Sequence, residues 1–80
     1  MIPITSPESL GNVLRKFRQE QGLTQSDAGR KLNMTQKTVS QIESGKPGVR
    51  LETLFNLMSA LGLEMHLEPR SRPEKHKAIW

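Results

Sequence analysis

None of the 80 residues is a cysteine, so neither a disulfide nor a thiolate metal site can hold this chain together. It also lacks an apolar run of membrane-spanning length and the charged-then-apolar opening of a signal peptide, which sets the expectation of a cytoplasmic, nucleoid-associated protein with no membrane partner. Histidine is scarce: His66 and His76 stand alone, with no carboxylate cluster at ligand spacing, and read as a strand-face residue and a tail residue rather than as metal ligands or bases. No glycine-rich phosphate loop occurs. These gaps argue against an enzyme, and no metal or cofactor is expected. The length suits one domain with an economical core. The net charge of +4 favours a polyanionic partner, but most of it lies in Arg70, Arg72, Lys75 and Lys77 of the final segment. Bulk basicity therefore decides little, and the positions of particular side chains must decide more.

What is present is a succession of helix signals. Ser6-Pro7-Glu8 reads as a helix start, with a capping hydroxyl, a proline preset for the first turn and an acid at the positive end of the dipole. Leu10, Val13, Leu14 and Phe17 follow on one stripe, and Gly22 stops the helix. Thr24 caps a short second helix with Asp27 completing a capping box, and Ala28 and Leu32 face inward. Asn33 tolerates a left-handed turn, so Asn33-Met34 reverses the chain before Thr35 caps a third helix reaching about Ser44. There Val39 and Ile42 point inward, leaving Gln36, Lys37, Ser40, Gln41 and Ser44 outside. After the Gly45-Lys46-Pro47-Gly48 loop, Leu51, Leu54, Phe55, Met58 and Leu61 predict an amphipathic fourth helix closed by Gly62. Leu63-Glu64-Met65-His66-Leu67-Glu68 alternates with period two and predicts a half-buried strand. Such a strand must pair with Ile2-Pro3-Ile4 or with its copy in a second subunit, and Pro3 weakens the first option. The resulting expectation is a homodimer joined through Leu63, Met65 and Leu67.

Two short helices across a tight turn, the second displaying amides and hydroxyls, meet the needs of major-groove readout, where base edges present paired donors and acceptors. The stretch LTQSDAGRKLNMTQKTVSQIESG resembles the helix-turn-helix of the Cro/C1 (XRE) repressor family, over about Leu10 to Leu61. The resemblance implies an all-α, lambda-repressor-like domain of four to five short helices spanning residues 1–68. It further implies that Gln25 holds a phosphate of double-stranded DNA and that Gln36, Lys37, Ser40 and Gln41 approach the bases of a palindromic operator. Thr35 would act as cap and groove contact, while Ser44 and Lys46 meet the opposite backbone. One departure is that Ala28-Gly29 stands where Leu-Ala is usual in the family. On propensity alone Gly29 costs about 1 kcal/mol relative to alanine.

The segment 69–80 is basic, interrupted by proline and expected to be flexible. It carries Ile79 and Trp80, the latter the only tryptophan, an aromatic anchor suited to a partner's pocket. With a helix-turn-helix, one strand and such a tail, the plan is similar to the HipB-like antitoxins of HipA-type kinase toxin–antitoxin systems. That likeness implies a homodimer that represses its own operon and binds a HipA-like Ser/Thr kinase toxin. A stand-alone or phage-type repressor shares every DNA-facing residue, and a protein-interaction adaptor would need acidic or bulky apolar residues on the third helix, where Gln36, Lys37 and Gln41 stand instead.

Overall fold

A computed structural model describes residues 2–70, which form four helices: α1 (Pro7–Glu20), α2 (Gln25–Lys31), α3 (Gln36–Glu43) and α4 (Leu51–Ala60). The first three start where the caps predict. Ser6 accepts the Ser9 backbone N–H at 3.0 Å while the Ser9 hydroxyl answers the Ser6 backbone N–H at 3.2 Å. Thr24 and Asp27 exchange the equivalent pair at 3.0 and 2.9 Å. Thr35 Oγ1 accepts from the Thr38 N–H at 3.2 Å. Each box satisfies N–H groups that no helical carbonyl can reach. Asn33 turns the chain with φ 60°, as its tolerance of the left-handed region allows.

α2 and α3, of 7 and 8 residues, are too short to persist alone and depend on docking. The core that docks them consists of Leu14, Ala28, Val39, Ile42, Leu54, Leu57, Met58 and Leu61, with Leu10, Leu32 and Leu63 packed at its edge. A hydrogen bond of 2.8 Å from Gln21 Nε2 to the Leu61 carbonyl ties the end of α1 to the end of α4. The buried stripe of α4 is rotated from the expected one. Leu57 is fully buried, whereas Leu51 and Phe55 are 68% and 47% exposed. Leu54, Leu57, Met58 and Leu61 follow the i, i+3, i+4, i+7 rows, and that inward arc leaves Leu51 and Phe55 at or beyond its margin.

The expected strand is not formed. Residues 63–70 carry no regular secondary structure and, among the described residues, no β ladder exists. Ile2-Pro3-Ile4 does not pair with this segment, and period-two patterning alone cannot supply the hydrogen bonds that a ladder requires. The three residues assigned to dimerisation separate accordingly: Leu63 packs against the core, while Met65 and Leu67 are 43% and 88% exposed. Ile79, Trp80 and the rest of the tail beyond residue 70 lie outside the described residues.

Two glycines are needed for close approach. A Cβ at Gly11 would run into the Ile42 and Glu43 carbonyls, so glycine lets α1 lie directly on the end of α3. A Cβ at Gly29 would sit 2.5 Å from the Met34 carbonyl oxygen, and the Gly29 carbonyl accepts the Met34 N–H at 2.8 Å. The departure at Gly29 is thus a packing requirement of the turn, and the propensity argument gives the wrong sign. Gly29→Ala should destabilise the domain by about 1–3 kcal/mol, as overpacking does, instead of stabilising it by about 1 kcal/mol. Urea unfolding of the two proteins decides, and a higher midpoint for the alanine variant would refute the close-approach account.

Candidate nucleic-acid interface

The docking of α3 determines what it shows to solvent. Val39, Ile42 and Glu43 turn inward, so Gln36, Lys37, Ser40, Gln41 and Ser44 line up on the outer face at helical spacing. Gln36, Lys37 and Ser44 are exposed, and Ser40 and Gln41 are half-buried at the rim. Gln25 lies at the start of α2, beside the first turn of α3. Its Oε1 accepts from Gln36 Nε2 at 2.5 Å. The expected α3 set and Gln25 are thus brought together on one side of the molecule.

Four expected residues have part of their bonding capacity committed internally, Gln36 through its bond to Gln25. Thr35 Oγ1 is bound to both the backbone and the hydroxyl of Thr38, and Ser44 donates its hydroxyl to the Gln41 carbonyl at 3.1 Å. Gln25 donates to Glu43 Oε1 at 3.0 Å. Lys46 is exposed beyond the end of α3, where its own N–H and that of Gly45 cap the Gln41 and Ile42 carbonyls at 3.0 and 3.1 Å. Gly45 permits this with φ +74° while lying against Glu8, at the start of α1.

Sequence reasoning missed two features. The first is a shallow groove beside α3 in which Lys46 and Gln41 are joined by Thr38, Arg50 and Thr53. Arg50 precedes α4 as its N-cap without using its side chain as a cap, leaving a second cation on the same side as Lys46. The second is a buried ion pair beneath the interface. Arg18 and Glu43 are only 7% and 2% exposed. Arg18 Nε and Nη2 grip the two Glu43 oxygens at 2.6 and 2.9 Å, and Nη1 donates to the Leu23 carbonyl at 2.7 Å. Arg15 adds a more distant charge at 3.6 Å. The available signal was positional: Arg18 extends the Leu10–Leu14 row of α1, and Glu43 follows Val39 by four residues on the inward side of α3.

Burial alone pushes the Glu43 carboxyl upward. The hydrogen bonds from Arg18 and Gln25 and the charges of Arg18 and Arg15 outweigh it and hold the group below the usual carboxylate range. Asp27 is likewise lowered, by the backbone and side-chain hydrogen bonds of Thr24 and then by the Arg30 charge.

Two docked helices across a left-handed turn, the second carrying an amide and hydroxyl face with the single cation of Lys37, make a helix-turn-helix protein. Residues 14–67 match the helix-turn-helix family. The antitoxin HipB of Escherichia coli (strain K12) is 36% identical over 64 residues, covering 80% of this chain and 73% of that protein. Solved structures of a HipB–O4 20mer complex and of a HipA–HipB–O2–O3 complex each superpose with a TM-score of 0.82 at 32% identity, spanning 89% of this chain and 100% of the HipB-like chain. The regulator ClgR from C. glutamicum superposes less closely, with a TM-score of 0.66 at 29% identity over 78% of this chain and 80% of its own. The chain belongs to the helix-turn-helix family, in its HipB-like branch.

Both lowered carboxyls give the same sign of pH dependence. A group whose folded pKa lies below its unfolded value contributes stability in full above the unfolded pKa, about 4 for a carboxyl, and loses it as pH falls through the folded value. Wild-type stability should therefore fall on acidification below about pH 5. Leaving one buried charge unpaired costs about 3–5 kcal/mol, so Arg18→Met should be severely destabilised, and Arg18→Met/Glu43→Leu should recover most of the loss. Thermal unfolding at pH 7 tests the second point: a single variant as stable as wild type would contradict the assignment.

Proposed function

We propose that this chain is a sequence-specific DNA-binding repressor and the antitoxin of a HipBA-type system, a binding protein that is not itself an enzyme. In this reading it works in the cytoplasm at the nucleoid, as a homodimer on a palindromic operator, repressing its own operon and engaging a HipA-like Ser/Thr kinase toxin. The observation that carries the reading is the polar face of α3, whose Gln36, Lys37, Ser40 and Gln41 form one surface with Gln25 and leave its apolar side in the core. The likeness to HipB, solved both as an O4 20mer complex and together with HipA, supports the two binding roles.

Gln36, Lys37, Ser40 and Gln41 take the base edges, and Gln25, Thr35, Ser44 and Lys46 the phosphates and groove walls. Residues 1–68 form the DNA-binding and dimerising unit, and the tail 69–80, with Ile79 and Trp80, is the segment offered to the protein partner. Dimerisation would use Met65 and Leu67 with Leu63 at their base, and four of the exposed apolar side chains, Leu51, Phe55, Met65 and Leu67, stand free of the core on α4 and the segment after it, a set that a two-fold partner would cover. Sedimentation at micromolar concentration should give the mass of a dimer, and a monomeric mass would count against this arrangement.

Base and phosphate roles separate in binding experiments. Gln36→Ala should cost about 1–3 kcal/mol on the selected operator and much less on random duplex; equal losses on both would remove Gln36 from base readout. Lys46→Ala should weaken all sequences and reduce the slope of log affinity against log salt by about 0.9. An unchanged slope would take Lys46 off the backbone.

A further inference from the structure

The segment after α4 has the side-chain alternation of a strand without a ladder. His66 Nε2 lies 2.6 Å from Glu64 Oε2, a contact between residues two apart that puts both on one side of the chain. Leu63, Met65 and Leu67 alternate with them. Among the described residues, the backbone of 64–68 makes no hydrogen bond to other backbone. A second copy supplies the missing edge, since a two-fold axis across the segment sets two copies antiparallel, residue i facing j and j facing i. Only registers centred on a residue keep the two apolar sides together, because a one-residue slip turns them toward polar side chains. Centring on Glu64 opposes two carboxylates, and centring on His66 opposes two imidazoles and sets Glu64 against Glu68; like charges directly opposed are destabilising. Centring on Leu67 draws in Pro69, which has no N–H to give, and leaves Leu63 outside the contact. Centring on Met65 has none of these faults. Met65 then meets its copy, the 88% exposed Leu67 covers the partner's Leu63 at the edge of the core, and each His66 faces the partner's Glu64.

We propose that two copies pair through residues 63–68 in this Met65-centred register, and that the two His66–Glu64 contacts across the axis make the dimer tighten on acidification. The inference rests on the homodimer reading. In one chain His66 touches a single carboxylate, and the two side chains are 71% and 80% exposed. In the dimer it has Glu64 and Glu68 beside it on its own segment, Glu64 of the partner subunit in front of it, and the partner's His66 on the diagonal; Arg70 stands beyond the paired residues. The polar side then carries twice as many carboxylates as imidazoles, and protonating the imidazoles offsets the repulsion among carboxylates while completing two cross-strand pairs. The dimer therefore holds these protons better than the separate chains do, and by linkage acid favours the dimer. The second half-site is reached only by a dimer, so operator affinity at limiting protein follows the same dependence.

The sequence has no cysteine, so single cysteines report the register in the full chain. Met65→Cys, His66→Cys and Leu67→Cys, all at exposed positions, are oxidised with diamide, which takes up the two thiol hydrogens as the disulfide forms. Facing Cα atoms about 4.5–5.5 Å apart lie within disulfide reach, whereas copies of the flanking residues stand beyond the limit of about 7 Å. Met65→Cys should therefore cross-link at least about tenfold faster than the other two. In sedimentation equilibrium at low salt, the wild-type dissociation constant should fall about two- to tenfold between about pH 8 and pH 6. His66→Gln should abolish that change, and Glu64→His/His66→Glu, which keeps the facing pair, should retain it. Fastest cross-linking through His66→Cys or Leu67→Cys, or a dissociation constant that rises or stays level on acidification, overturns the inference while leaving a dimer. A monomeric mass at both pH values instead removes the homodimer reading on which it rests.

Discussion

The placement of α3 and of its polar surface depends on the Arg18–Glu43 pair. It joins α1 to the last turn of α3 at the level where Gly11 brings the two backbones together, so the pitch of α3 is set by an ionic contact with fixed bidentate geometry as well as by Val39 and Ile42. Desolvating both charges is costly, and an apolar pair of similar volume can be as stable or more so. What the ions add is direction. Leucine side chains in the same space would tolerate a small rotation of α3, whereas the forked Arg18 contact, with its third bond to the Leu23 carbonyl, tolerates little.

This matters because α2 and α3 lack the length to hold their own orientation. Their ends are defined locally by Thr24, Asp27 and Thr35, but their mutual angle is set by contacts at the turn, where Gly29 admits the Met34 carbonyl. The outer face of α3 carries few charges. A protein that reads bases through neutral amides gains little from long-range attraction and must place those amides accurately, since hydrogen bonds weaken steeply with angle. Rigidity beneath α3 and polarity upon it are parts of one requirement.

Much of this was legible from residue order. Capping residues announce themselves through short-range bonds that depend on a few neighbours, and Ser6, Thr24, Asp27, Asn33 and Thr35 behave accordingly. The outward set on α3 followed from the inward placement of Val39 and Ile42. The features that escaped are those whose meaning depends on distant chain. Arg18 and Glu43 look like solvated charges until α1 and α3 are docked. Gly29 looks like a weak helix former until the next segment crosses it. Leu51 and Leu57 cannot be ranked by period alone, because an amphipathic arc has a centre that only the neighbouring helices define. Residues 63–68 show the limit of alternation as a signal, since it describes a segment ready to pair without supplying the edge it would pair with.

Apolar side chains left outside the core, Leu51 and Phe55 on α4 and Met65 and Leu67 after it, bear on the same question of placement. A single helix-turn-helix contacts a few base pairs, and the discrimination available from so few is modest. In the proposed homodimer, two copies held at a fixed separation would multiply it, provided that each copy is rigid enough for the spacing to be carried from the dimer contact to α3. Leu54 and Leu57 of α4 share one buried core with Val39 and Ile42 of α3, and Glu43 and Arg18 are buried beside it. A domain this small can convert dimer geometry into base discrimination only if that core is stiff, and the ion pair beside it accounts for charges being kept where hydrocarbon would suffice for folding.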